Sequence, residues 1–165
     1  SATTVFASGI GFVKTYDKIA DETREEINVG TEGDIKDQKA KYRMYDKTRI
    51  KKCMIKNERL KENDGKPFTW KIKPKERIET KEGHLKKGTC VQVAACMGFE
   101  EEHPETHIAI GIIDEDGEET YIENGVNLVS HLKVKKDGRY RVFLENLGAK
   151  KAIAGGHYMV ITEEE

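Results

Sequence analysis

The chain has 165 residues and a formal net charge of -1, from 29 basic and 30 acidic residues. Apolar and charged residues each make up 36% of it, so it can bury one modest core and must leave most outward positions charged. No apolar run exceeds about six residues, which excludes a membrane-crossing helix.

In chain order, residues 1–25 read as an N-terminal arm or edge strand. Val5–Val13 is apolar and interrupted by Gly9 and Gly11. Those glycines open neither a GxxxxGK[ST] nor a GxGxxG run, so no phosphate loop is expected. Asp17–Glu26 is too poor in apolar residues for a stable helix. Residues 26–165 read as a single β-sandwich domain, beginning with a short strand at Glu26–Val29.

Ala40–Tyr45 alternates, with Ala40, Tyr42 and Met44 facing one way and Lys41, Arg43 and Tyr45 the other. Arg49–Ile55 reads as a further strand, but Ile50, Cys53 and Ile55 do not share one parity, which points to a bulge or a sheet edge. Asn63-Asp-Gly65 is a hairpin signal. Phe68–Ile72 places Phe68, Trp70 and Ile72 on one face, and Pro74 ends it. Because Lys71 and Lys73 face away from Trp70, the indole belongs to the core.

Thr89–Phe99 is the strongest strand pattern. Both of its faces are small or apolar, which suits a central strand covered on both sides. Strands then follow at Thr106–Ile113, Glu118–Ile122, Leu128–Val134, Arg139–Glu145 and Gly156–Thr162. Asp116-Gly117 and Asp137-Gly138 punctuate them. The expected fold is all-β: a two-layer antiparallel β-sandwich with short strands and Gly-rich hairpin turns.

Cys90 and Cys96 share a face but stand about 20 Å apart on one strand, too far to bond to each other. Either Cys53 pairs with one of them, or all three remain thiols. Their spacing supports neither a zinc knuckle nor a redox pair.

Few residues suggest chemistry. His103, Glu105 and His107 form a candidate set for Zn²⁺ or another divalent ion. Their spacing puts the ligands on one side only in a helix, and Pro104 opposes a helix there. Asp114–Glu118 gathers carboxylates that suit Ca²⁺, but the EF-hand pattern is absent and a hairpin turn explains the residues. Ser8 and Ser130 lie in no nucleophile elbow, and Ser130 and His131 point to opposite faces of a strand. No catalytic residue and no cofactor is expected.

Residues 36–87 are rich in lysine and arginine. Lys41, Arg43, Tyr45, Lys71 and Lys73 are the candidate binding surface, facing an anionic envelope component, a glycan or a protein. Nucleic acid is not an expected partner, and a monomer is expected. The chain starts at Ser1 without an initiator Met, which together with the short strands suggests an extracellular or cell-surface location. The functional expectation is therefore a non-catalytic binding protein. The alternative is a metal-dependent or hydrolytic enzyme whose His and Glu/Asp residues converge in space.

Overall fold

A computed structural model of the chain describes residues 38–60, 65–97, 107–124 and 127–162. The arm expected at 1–25 and the strand expected at 26–29 lie outside the described residues.

The described residues form eleven strands and no α-helix. They are β1 (Lys41–Met44), β2 (Lys52–Arg59), β3 (Phe68–Ile72), β4 (Glu76–Lys81), β5 (Gly83–Leu85) and β6 (Cys90–Met97). β7 (Ile108–Asp114), β8 (Glu118–Asn124), β9 (Asn127–Lys133), β10 (Gly138–Asn146) and β11 (Ala152–Ile161) complete the set. Two sheets pack into a sandwich. One has seven strands in the order β1-β8-β7-β10-β4-β2, with β5 also paired to β10; the other has four, β3-β11-β6-β9.

Alternation explains the core. Ile108, Ile110 and Ile112 of β7 and Tyr140, Val142 and Leu144 of β10 point inward from the wider sheet. Trp70, Val91, Val93, Leu128, Leu132 and Tyr158 meet them from the narrower one. Trp70 is 4% exposed and stacks on Phe68 with ring centroids 4.0 Å apart. Burying a side chain of that class contributes roughly 1.5–3 kcal/mol.

Several local expectations change. β2 and β3 lie in different sheets, so the sequence Asn63-Asp-Gly65 joins the two layers and not a hairpin. Asp137-Gly138 also crosses between layers, from β9 to β10. Asp116-Gly117 does close a hairpin, β7 to β8, with Gly117 at φ 89°. β2 runs parallel to β4, the one parallel pair among the described strands. Ile50 breaks parity with Cys53 because it precedes β2. β6 is central, but Cys90, Gln92 and Ala94 on its outer side are only half-buried.

The parallel pair follows from the connection between β1 and β2. These strands occupy opposite edges of the seven-stranded sheet. The seven residues Tyr45–Lys51, including a single 3-10 turn at Lys47–Arg49, join them. The Tyr45 N–H donates to the Gly117 carbonyl at one end of the sheet, and the Lys51 N–H donates to the Lys75 carbonyl at the other. The segment is thus a diagonal strap from the end of β1 to the start of β2. Asp46 caps its turn by accepting from the Thr48 N–H at 2.9 Å.

Candidate binding surfaces

The outward side of the seven-stranded sheet holds an unusual second layer. Arg77, Glu119 and Glu145 are each at most 1% exposed, and Glu79 is 5% exposed. Strand register places them together. Arg77 and Glu79 come from β4, Glu145 from β10 and Glu119 from β8. Between β10 and β8, β7 presents only Ala109, Gly111 and Ile113 outward. Those side chains are short enough for long ones from both neighbours to meet above them.

Arg77 is the hub. Its Nε donates to Glu79 at 2.8 Å and its Nη1 to Glu145 at 2.9 Å. Its Nη2 lies 2.7 Å from Glu119 but outside hydrogen-bonding angle, so that contact is Coulombic. The guanidinium stacks on Phe143, 3.8 Å from the ring centre. Arg43 from β1 binds Glu119 and Glu145, Arg49 from the strap binds Glu145, and Arg141 binds Glu79. The strap therefore both covers this layer and supplies a cation to it.

Burial alone would raise the Glu145 carboxyl, but hydrogen bonds from Arg49 and Arg77 and the charge of Arg43 outweigh it and hold it below its ordinary 4.5. A carboxylate depressed in the folded state contributes stability that is fully present above its unfolded value and is lost as pH falls through the folded one. Thermal stability is thus expected to be flat above about pH 5 and to decline below about pH 4.5. A melting series that stays flat to pH 3 would show that the layer contributes nothing.

Beside the layer lies an open groove of about 460 Å³. Tyr45, Ile55 and Ile113 give it apolar walls, and Arg139, Arg141, Glu79 and Glu82 give it charge. Those charges are paired: Arg141 with Glu79, and Arg139 with Glu82 and Glu115. Cys53 also lines the groove, its thiol pushed up to about 11 by burial and by Glu79, which makes it a poor nucleophile.

Cys53, Cys90 and Cys96 form no disulfide with one another. Cys53 faces outward on the seven-stranded sheet while Cys90 and Cys96 lie in the other sheet, so the Cys53 pairing does not form. Burial raises the Cys96 thiol well above its ordinary value.

The carboxylates of Asp114–Glu118 serve the turn. Asp114 Oδ1 accepts from the N–H groups of Asp116 and Glu118, and its other oxygen faces Lys136. Glu115 accepts from the Arg139 N–H. Of the proposed metal set, His103 and Glu105 lie outside the described residues. His107 is half-exposed with its Nε2 3.4 Å from Glu123. Among the described residues no group of three or more His, Cys, Asp or Glu stands ready for a metal ion.

The five residues expected to bind a partner divide between the two sheets. Lys41 and Arg43 belong to β1 and Tyr45 to the strap; Lys71 belongs to β3 and Lys73 follows it. Lys41 pairs with Glu123, Arg43 is drawn into the buried layer, and Tyr45 lies 39% exposed over Arg77. Lys71 and Lys73 are exposed at the far end of the narrower sheet. The Arg77 layer escapes sequence reading. The only local hint is the alternation Arg77, Glu79 against Ile78, Thr80, which resembles a solvated strand.

No family model and no curated protein matches the chain. Among solved structures it is similar to the pre-peptidase C-terminal domain of collagenase from Bacillus anthracis, with a TM-score of 0.43 and 6% identity over 62% of this chain and 94% of that one. It is also similar to PliG of Aeromonas hydrophila, a periplasmic inhibitor of g-type lysozyme, with a TM-score of 0.38 and 10% identity over 66% of this chain and 98% of that one. These are likenesses of strand arrangement, and no residue role is taken from them.

Proposed function

We propose that the chain is a non-catalytic binding domain, working outside the cell or at its surface, whose partner presents an anionic surface, as a polymer or a protein. The observation that carries this reading is how the charges are used. The arginines and carboxylates gathered on the seven-stranded sheet are spent on one another, so none is poised as acid, base or nucleophile. Exposed lysines such as Lys71, Lys73 and Lys75, by contrast, have no carboxylate partner among the described residues.

The cysteines count against the location, because Cys53, Cys90 and Cys96 form no disulfide with one another. The test is retention of the folded protein on resins coated with polyphosphate or dextran sulfate. Retention at about 20 mM salt that is lost by about 300 mM is expected. Absence of retention at the lower salt would overturn the reading, as would a tightly held stoichiometric metal ion in the purified protein.

A further inference from the structure

One end of the sandwich collects lysines from three separate segments. Lys71, Lys73 and Lys75 come from β3 and the turn after it, Lys51 from the end of the strap, and Lys150 and Lys151 from the turn before β11. Backbone bonds fix this convergence. The Lys51 N–H donates to the Lys75 carbonyl at 2.8 Å, and the Lys75 N–H donates to the Asn146 carbonyl at 3.0 Å. Asn146, fully buried, pins the end by donating from its side chain to the carbonyls of Ile72 and Lys150.

All six lysines are exposed, and among the described residues none of them makes an ion pair. Some cations elsewhere, Lys41, Lys136, Arg139 and Arg141, each have a carboxylate partner, while Lys86, Lys87 and Lys133 also make no ion pair among the described residues; what sets this end apart is the convergence of three segments. Glu76, the acid next to this end, accepts from the Lys73 backbone N–H.

Lys75 adds an independent observation. Its φ is 64°, the one non-glycine residue in the left-handed region among those described. Glycine or asparagine fits that conformation with less strain, so the lysine side chain is held there at a backbone cost.

The chemistry narrows the partner. The exposed large apolar residues are Tyr42, Met44, Tyr45, Ile55, Met159 and Ile161, and none lies in the three lysine-bearing segments. Among the described residues these segments therefore offer no anchor for a bilayer and no ring on which a base would stack.

We infer that this end of the sandwich docks a linear polyanion, a polymer bearing repeated phosphate or sulfate groups. The inference rests on the anionic-partner reading above and names its site.

The test uses the full chain with polyphosphate and dextran sulfate at about 20 mM salt. The triple variant Lys73→Glu, Lys75→Glu, Lys151→Glu is expected to bind about tenfold or more weakly. Lys86→Glu with Lys87→Glu, at the opposite end, should stay within about twofold of the wild type. Lys75→Gly separates binding from folding: it is expected to melt about 2–4 °C higher while binding less well. Loss on polyphosphate alone supports a phosphate polymer, and loss on dextran sulfate alone supports a sulfated one. A triple variant that binds like the wild type, or a control pair that loses as much, overturns the site while leaving the broader reading intact. Wild-type binding to anionic vesicles but to neither polymer overturns it in favour of a membrane. Wild-type binding to none of these removes both.

Discussion

Arg77→Met is expected to destabilise the protein by about 3–5 kcal/mol, because it strips the central cation from a buried ion cluster. Glu79, Glu119 and Glu145 would remain within the layer, at most 5% exposed, with Arg43, Arg49 and Arg141 reaching them only from its margins. Methionine keeps most of the stem volume and the contact with Phe143, so the loss reports charge more than packing. The pH dependence should also weaken. Against burial, Arg49, Arg43 and Arg77 together hold the Glu145 carboxyl down; without Arg77 part of that is lost, so less stability disappears on acidification. The difference between variant and wild type should therefore shrink between pH 7.5 and pH 4. Urea unfolding at both pH values measures this. A variant within about 1 kcal/mol of the wild type at pH 7.5 would mean that the cluster is held by something other than its central arginine.

Gly156→Ala should cost about 2–3 kcal/mol, for a different reason. Gly156 sits in β11 opposite Ala95 of β6 and Phe68 of β3, in the middle of the four-stranded sheet. A Cβ there would lie 2.1 Å from the Ala94 carbonyl oxygen and 2.8 Å from the Ala95 Cα. Both atoms are backbone, so no rotamer change relieves the clash, and the β6–β11 ladder must open. That ladder pairs eight residues on each strand, so displacement at its middle weakens the narrower layer as a whole. Equilibrium denaturation of the alanine variant decides it; a midpoint indistinguishable from the wild type would show that the strands separate at no cost.

The strands β3 and β6–β11 are legible, some, such as β3 and β9, because apolar residues alternate against polar ones and others, such as β6 and β7, as short apolar runs, and both are local signals. β4 and β5 are not. Glu76-Arg77-Ile78-Glu79-Thr80 reads as polar, yet Arg77 and Glu79 are buried because partners from β8 and β10 neutralise them. That information lies some 40 to 70 residues away along the chain (Arg77 to Glu119 and Glu145), where no periodicity can reach it.

Turn chemistry has the same limit. Asp116-Gly117 and Asp137-Gly138 are the same dipeptide, and each supplies a glycine at positive φ, but only the first joins neighbouring strands. Which sheet a strand enters after its turn depends on the partners available to it. The candidate surface divides likewise. Lysine enrichment over 36–87 is visible in the sequence, but the allocation of Arg43 to a buried cluster and of Lys73 to an exposed end follows from sheet order.

The diagonal strap also sets a timetable. It can lie down only after both edges of the wider sheet are in place, and the β1–β8 edge joins residues near 42 to residues near 120. Contacts so distant in sequence close late in folding. Arg49 is therefore expected to reach Glu145, and Tyr45 to reach Arg77, late in folding, once both edges of the sheet are in place. Interactions formed that late do little to hasten folding and act chiefly as a brake on unfolding. The charged layer is in this sense a latch: it governs how long the folded molecule persists, more than how quickly it is reached.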